Sequence, residues 1–226
     1  MDGISVFNNG FVRLDAYMAD DISVVNSARV SFGKRTETIG DADFGLIRFL
    51  MRSRHGTPFE HNSFRFHVKA PIFVAREWFR HRIGSFNEYS GRYAVMPTEY
   101  YVPDPTNMRT QVGKPGSYTF EPIEEAVATE AASLMNECSK EAFLLYESLV
   151  ERGVAKEVAR MILPLGSYTE FYWTVNARAL MNFLSLRNDD AAQYEIRVYA
   201  EAVESFFSQV MPQTYAAWVD YGRVTP

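Results

Sequence analysis

Fourteen consecutive residues, Arg80 to Tyr93, hold three arginines, a histidine, a glutamate, an asparagine, two serines and three aromatic rings. Guanidinium forks bind phosphate or carboxylate oxygens in pairs, and aromatic faces stack on planar ligands. Gly84 and Gly91 allow the backbone to turn tightly or to approach a ligand closely. Together these groups suit a phosphate ester that carries a flat ring. A solvated basic loop would hold the same arginines without the interleaved rings. Three other places carry polar groups that a core would not select: the stretch 55–61 with His55 and His61, Arg160, and the stretch 176–187.

Several chemistries are excluded. No Gly-x-Gly-x-x-Gly or Walker lysine loop occurs, so a dinucleotide would not be held in a Rossmann or P-loop manner. Ser90 and His81 could suggest a hydrolase, but the Gly-x-Ser-x-Gly elbow is missing. The four histidines lack the His-Glu-x-x-His pattern, and the single cysteine rules out an internal disulfide and a multi-cysteine zinc site. No metal is expected. With 23 basic against 28 acidic residues the net charge is -5, which argues against a general nucleic-acid binder. An anion site must therefore be a local pocket of arginines. No run of about 18 apolar residues is present to span a membrane. The acidic Met1-Asp2-Gly3 opening, with no apolar stretch after it, reads as cytoplasmic.

The elements that must position these groups follow from periodicity and breakers. Ile4 to Tyr17 reads as two strands joined at Asn8-Asn9-Gly10, with Asn-Gly supplying positive φ. Asp20-Asp21 should cap a helix towards Ser31, and a second helix should run from Asp41 to Arg54 until Gly56 and Pro58 stop it. Phe64 to Lys69 alternates as a strand. Pro71 should open a helix to about Arg82, with Arg76, Glu77, Arg80 and His81 on one side, so that Arg80 to Arg82 sit on its last turn. Met96 to Tyr118, rich in Pro and Gly, is expected to be a long excursion and a candidate mobile lid.

A long helix from Glu121 to Gly153 should start with Pro122 near its first position. It should bury a stripe of Ile123, Val127, Leu134, Cys138, Ala142, Leu145 and Leu149. Lys156 to Ile162 reads as a short helix and Tyr168 to Val175 as a strand. Asn176 can N-cap a helix with Arg178, Asn182 and Ser185 on one face, and Asp189-Asp190 are expected to cap a last long helix ending before Pro212. The pattern predicts one α+β domain, 1–226, with long helices around a central, mainly antiparallel sheet.

Arg80-His81-Arg82, then seven residues, then Ser90, resembles the RHR-x7-S signature of the flavin-dependent thymidylate synthases. Thr57-Pro58-Phe59-Glu60-His61, the run Phe66 to Arg76, and Trp173-Thr174-Val175-Asn176-Ala177-Arg178 extend the resemblance, which runs from about Gly10 to Ala217. It implies reductive methylation of dUMP at C5, with 5,10-methylenetetrahydrofolate as carbon donor, NADPH as reductant and FAD as cofactor. The family works as a homotetramer with active sites between subunits.

By that resemblance Thr57, Arg80, His81, Arg82, Glu88, Asn176, Ala177, Arg178 and Asn182 meet FAD. Glu77, Trp78, Phe79, Arg80, Glu88, Tyr89, Ser90, Gly91, Arg92, Arg160 and Arg187 meet dUMP. Arg187 is the implied catalytic residue, because a guanidinium stabilises negative charge developing on the pyrimidine. Without the resemblance it would read as an arginine facing a helix C-terminus. Cys138, expected to be buried, would be a poor nucleophile. Two departures stand out: Glu77 where the family usually has Gln, and Ala191 where many members have His. Glu77 and His81, one turn apart, could pair. These departures leave open another pyrimidine nucleotide, such as UMP or a hydroxymethylation outcome. A non-catalytic nucleotide- or RNA-binding relative is a further alternative.

Overall fold

The computed structural model describes residues 2–114 and 117–223; Pro115 and Gly116 of the expected excursion lie outside the described residues. In chain order the strands and helices are β1 Ile4–Val6, β2 Gly10–Met18, α1 Asp21–Arg29, α2 Asp41–Arg52, β3 Ser63–Pro71, α3 Ile72–Trp78 and β4 Ser85–Glu88. They continue with β5 Arg109–Val112, β6 Thr119–Pro122, α4 Glu125–Glu151, α5 Lys156–Ala159, β7 Tyr168–Asn176, α6 Ala177–Arg187, α7 Tyr194–Val210 and α8 Pro212–Tyr221. The chain forms two compact units, Met1–Tyr89 with Thr169–Pro226, and Ser90–Tyr168.

The first unit is built on a five-stranded sheet in the order β1-β2-β3-β7-β4, antiparallel at β1–β2, β2–β3 and β4–β7. Alternation decides which face is buried. Phe64, Phe66, Val68 and Ala70 of β3 and Phe171, Trp173 and Val175 of β7 are enclosed, whereas Arg65 and Tyr172 face outward. Trp78 of α3 fills the centre of this core. Its ring lies 4.7 Å from Phe183, 5.3 Å from Trp173 and 5.4 Å from Phe171. Burying each such ring contributes about 1.5–3 kcal/mol, so this aromatic cluster anchors the turn that follows α3.

In the second unit α4 ends as its sequence predicts. Gly153 adopts φ +84°, the Gly153 N–H donates to Val150 O at 3.0 Å, and the Val154 N–H donates to Leu149 O at 3.0 Å. The buried face of α4 is Ala128, Ser139, Phe143 and Tyr146, and the Tyr146 hydroxyl accepts from the Met96 N–H at 3.0 Å.

Several expectations are corrected. The positive φ of the first hairpin belongs to Phe7 (+55°), not to Asn-Gly. Gly10 is needed for space instead, since a Cβ there would sit 2.0 Å from the Tyr199 hydroxyl. Helix α3 stops at Trp78, with Pro71 as the residue before its first turn, so Arg80 to Arg82 lie in the turn beyond the helix. That turn leads into β4, a strand absent from the sequence expectation; its four residues of mixed polarity carry no alternation signal until β7 pairs with them. The excursion contains β5, which pairs with β6 just beyond its end, and Pro122 ends β6 instead of opening α4.

The stripe on α4 holds only near its end, where Leu149 packs against the cluster of Met96, Tyr146 and Ala159. Val127, Leu134, Cys138 and Leu145 are exposed, because aromatic bulk at Phe143 and Tyr146 outcompetes the smaller aliphatics for the packed side. Burial therefore does not disarm the Cys138 thiol. Helix α7 begins at Tyr194 after Gln193, while Asp189 accepts from the Ala191 N–H in the turn before it and Asp190 pairs with Arg197. Helix α7 ends at Val210, before Pro212 as expected, and Pro212 then starts a further helix, α8.

Candidate active site

In the first unit, strand β7 delivers Asn176, whose side chain accepts from the Ala179 N–H at 2.9 Å and starts α6. The first two turns of that helix carry Arg178 and Asn182, and its last residue is Arg187. The turn after α3 brings Arg80, His81 and Arg82 against the same helix. These seven side chains line one cleft of about 770 Å³ together with Glu60 and Trp173. A second cleft of about 480 Å³ shares Arg178, Asn182 and Leu186 and adds His55, Gly56 and Trp218.

Arg187 is the most constrained cation of the first cleft. Its Nε donates to His81 Nε2 at 3.0 Å, its Nη1 meets Glu77 Oε2 at 3.4 Å, and its Nη2 donates to the Glu77 carbonyl at 3.5 Å. Three of the five N–H groups of a guanidinium are thereby engaged, leaving two for a ligand. Glu77 and His81 are joined through Arg187 instead of forming the direct pair expected one turn apart. Receiving the Arg187 proton at Nε2 requires His81 to be neutral with its own proton on Nδ1. Burial, and then the neighbouring Arg187 charge, push the His81 pKa down from 6.5 to about 4. Burial raises the Glu77 carboxyl and the nearby Glu195 raises it further, while Arg187 pulls it down; burial wins.

Arg178 sits over Gly56, where a Cβ would lie 2.5 Å from its Cζ, and pairs with Glu60 at 2.5 Å. The fit to a flavin dinucleotide can be judged from this donor set. Forked cations suit a pyrophosphate, and the amides of Asn176 and Asn182 suit ring edges. Thr57, Ala177 and Glu88 do not line this cleft: Thr57 is exposed at the start of a 3₁₀ turn, Ala177 is fully buried, and Glu88 on β4 accepts from the Thr169 hydroxyl at 2.8 Å. Trp78 is enclosed in the core, so its indole is not available to a substrate, and Phe79 packs 4.8 Å from Phe86 and 5.1 Å from Phe171. Tyr89 donates its N–H to Glu170 O at 2.7 Å.

In the second unit, Ser90, Gly91, Arg92 and Arg160 come together. A Cβ on Gly91 would lie 3.2 Å from Arg160 Cδ, and the Arg92 N–H donates to the Ser90 hydroxyl at 3.4 Å. Arg92 Nε also donates to Glu157 at 3.1 Å, a partner that spacing could not reveal because 65 residues separate them. Glu60 and Trp173 were missed as lining residues for the same reason, although both stand inside motifs already singled out.

A family model described as "Thymidylate synthase complementing protein" matches residues 13–213. Flavin-dependent thymidylate synthase from Thermosipho africanus is 47% identical over 216 residues, covering 96% of this chain and 93% of that one. The enzyme of the same name from Thermus thermophilus is 46% identical, over 96% and 78%. The chain belongs to the flavin-dependent thymidylate synthase family. Among solved structures, the UMP/dUMP methylase PolB from Streptomyces cacaoi bound with 5-Br dUMP superposes with a TM-score of 0.88 at 41% identity, covering 99% of this chain and 100% of that one. The same protein bound with 5-Br UMP gives 0.88 at 42% identity, covering 99% of both chains. The shared architecture is α+β, with long helices and an antiparallel sheet. Among the described residues, no helix is long and apolar enough to cross a membrane.

Proposed function

We propose that this protein catalyses FAD-dependent reductive methylation of dUMP at C5 to give dTMP, taking the carbon from 5,10-methylenetetrahydrofolate and reducing equivalents from NADPH. The observation that carries the reading is Arg187, held by neutral His81 and by Glu77 inside the cleft lined by Arg80, Arg82, Asn176, Arg178 and Asn182. Flavin, when bound, supplies the hydride chemistry. Arg187 presents its two remaining N–H groups to the pyrimidine and stabilises the negative charge that develops on the ring. His81 stays uncharged, so it accepts from Arg187 without adding a competing cation. Ser90, Gly91, Arg92 and Arg160 take the 5′-phosphate, with Glu157 releasing Arg92 on binding. Thr57, Glu88 and Ala177 belong to the FAD set, and Phe79 and Tyr89 to the nucleotide set, through the resemblance alone; Trp78, enclosed in the core, supports the site from behind. The chain works as one domain in a cytoplasmic homotetramer with sites between subunits. That the reaction dispenses with a thiolate rests on family membership, since Cys138 is exposed.

A second reading, methylation of UMP, is favoured by Glu77 in the Arg187 cage and by the likeness to PolB, a UMP/dUMP methylase. Purified protein should be yellow and should release tritium from [5-³H]dUMP when given methylenetetrahydrofolate and NADPH. A protein that takes up no flavin overturns both readings. Tritium release from UMP but not dUMP, moved towards dUMP by Glu77→Gln, replaces the first with the second.

A further inference from the structure

Arg187 is followed by Asn188, which closes α6 in a non-helical conformation (φ -103°, ψ 56°). The end of a helix is where its backbone frays most easily, so the residue bearing the key guanidinium stands at a weak point. Here that point is gripped twice. The Asn188 carbonyl accepts from Arg223 Nη2 at 2.8 Å, and the Asn188 side-chain amide donates to Glu204 Oε2 at 2.6 Å. Glu204, buried on α7, also accepts from Arg223 Nη1 at 2.9 Å and from the Tyr215 hydroxyl at 2.9 Å. Burial, then the Glu204 contact, raises the Tyr215 pKa, so the phenol remains a donor. The Arg223 guanidinium lies 4.9 Å from the Trp218 ring centre, and the Arg223 backbone N–H donates to Trp218 O at 2.7 Å, which ties the end of α8 into the same knot.

A buried ion pair is a weak source of stability compared with apolar packing of the same volume. Rings already fill this region: Trp218, Phe207 and Tyr215 pack at 5.8–6.1 Å. What the charged pair adds is direction. One guanidinium spans a carboxylate and a carbonyl, and with the Glu204 contact it holds Asn188 at two points.

We propose that Glu204 and Arg223 are positioning residues for Arg187: by holding Asn188 at its carbonyl and its side-chain amide, they set where the Arg187 guanidinium meets His81 and Glu77. The proposal rests on the reading of Arg187 as the pyrimidine contact. Arg223→Lys can still pair with Glu204 but cannot bridge to the carbonyl as a fork does.

Calorimetric titration of the flavin-loaded protein with dUMP tests it in four forms: wild type, Arg223→Ala, Arg187→Ala and the double variant. Arg223→Ala is expected to weaken dUMP about tenfold in the wild-type background and by less than about twofold in the Arg187→Ala background, as coupled sites require. Arg223→Lys should weaken dUMP while melting near the wild-type temperature. Equal weakening in both backgrounds overturns the proposal, because general loosening would act with or without Arg187. A crystal structure of Arg223→Ala supplies a readout independent of any nucleotide. Arg187 displaced from His81 supports the positioning role even if wild type binds no dUMP, a result that would overturn the functional reading alone. Arg187 unmoved overturns the positioning role.

Discussion

Replacing His81 with glutamine tests the electrostatic core of the site. Glutamine can still accept from Arg187 Nε through its amide oxygen, but it cannot titrate. In the unfolded chain a histidine takes up a proton near pH 6.5, whereas in the folded protein His81 does so only near pH 4. Between those values the unfolded state binds more protons, so stability falls as the pH falls, and the loss is complete below about pH 4. At about 1.36 kcal/mol per pH unit the whole displacement corresponds to at most about 3.4 kcal/mol. Integrated only from pH 7.5 down to pH 5 it is about 2 kcal/mol. His81 lies at the wall of an open cleft, and solvent screening there reduces the expected figure to about 1 kcal/mol. Urea unfolding of wild type and His81→Gln at pH 7.5 and pH 5 gives the difference directly. Other titrating groups act alike in both proteins and cancel. The wild type should lose about 1 kcal/mol more than the variant on acidification. Parallel losses, or a larger loss in the variant, would show that His81 is not held neutral by its burial and by Arg187.

Two further outcomes follow from close contacts elsewhere in the first unit. Gly56→Ala places a methyl group where Arg178 lies, and the flexible guanidinium can swing away, so stability should change by less than about 1 kcal/mol. Flavin retention, read from visible absorbance per protein, should nevertheless fall, because Arg178 leaves the cleft and its Glu60 partner. Asp21→Ala removes a buried carboxylate that accepts from the Gln213 N–H, the Thr214 N–H and the Thr214 hydroxyl at 2.6–2.9 Å. Leaving those donors at the start of α8 unpaired should cost about 2–4 kcal/mol, visible as a lowered thermal midpoint.

Much of the site was legible before any fold was known, because its residues come in dense local runs. Arg80-His81-Arg82 and Asn176-Ala177-Arg178 announced themselves by type and spacing, Arg187 stood out only through the family resemblance, and Asn176 was readable as a cap because capping is decided within four residues. The expected face of α6 held for the same reason: Arg178, Asn182 and Ser185 line one cleft. What failed was decided at longer range. The apolar side of α4 could not be chosen from periodicity when aliphatics and aromatics offered two competing stripes, and Cys138 went with the wrong one. Helix α3 stopped early because the Trp78 ring is locked among Phe171, Trp173 and Phe183, and the chain then turns to pair as β4.

By itself the sequence determined the composition of the site: which cations, amides and rings are present, and hence the class of ligand they suit. Local interactions within a turn of helix or a strand's alternation are enough for that. Only the tertiary structure decided how each group is set. Glu77 and His81 meet at Arg187, some 106–110 residues away, Arg178 lies over Gly56, and Arg223 reaches back to Asn188. Such pairings depend on the packing of strands and helices distant in the chain. So does the neutral state of His81, since burial and a neighbouring charge exist only once the fold has formed.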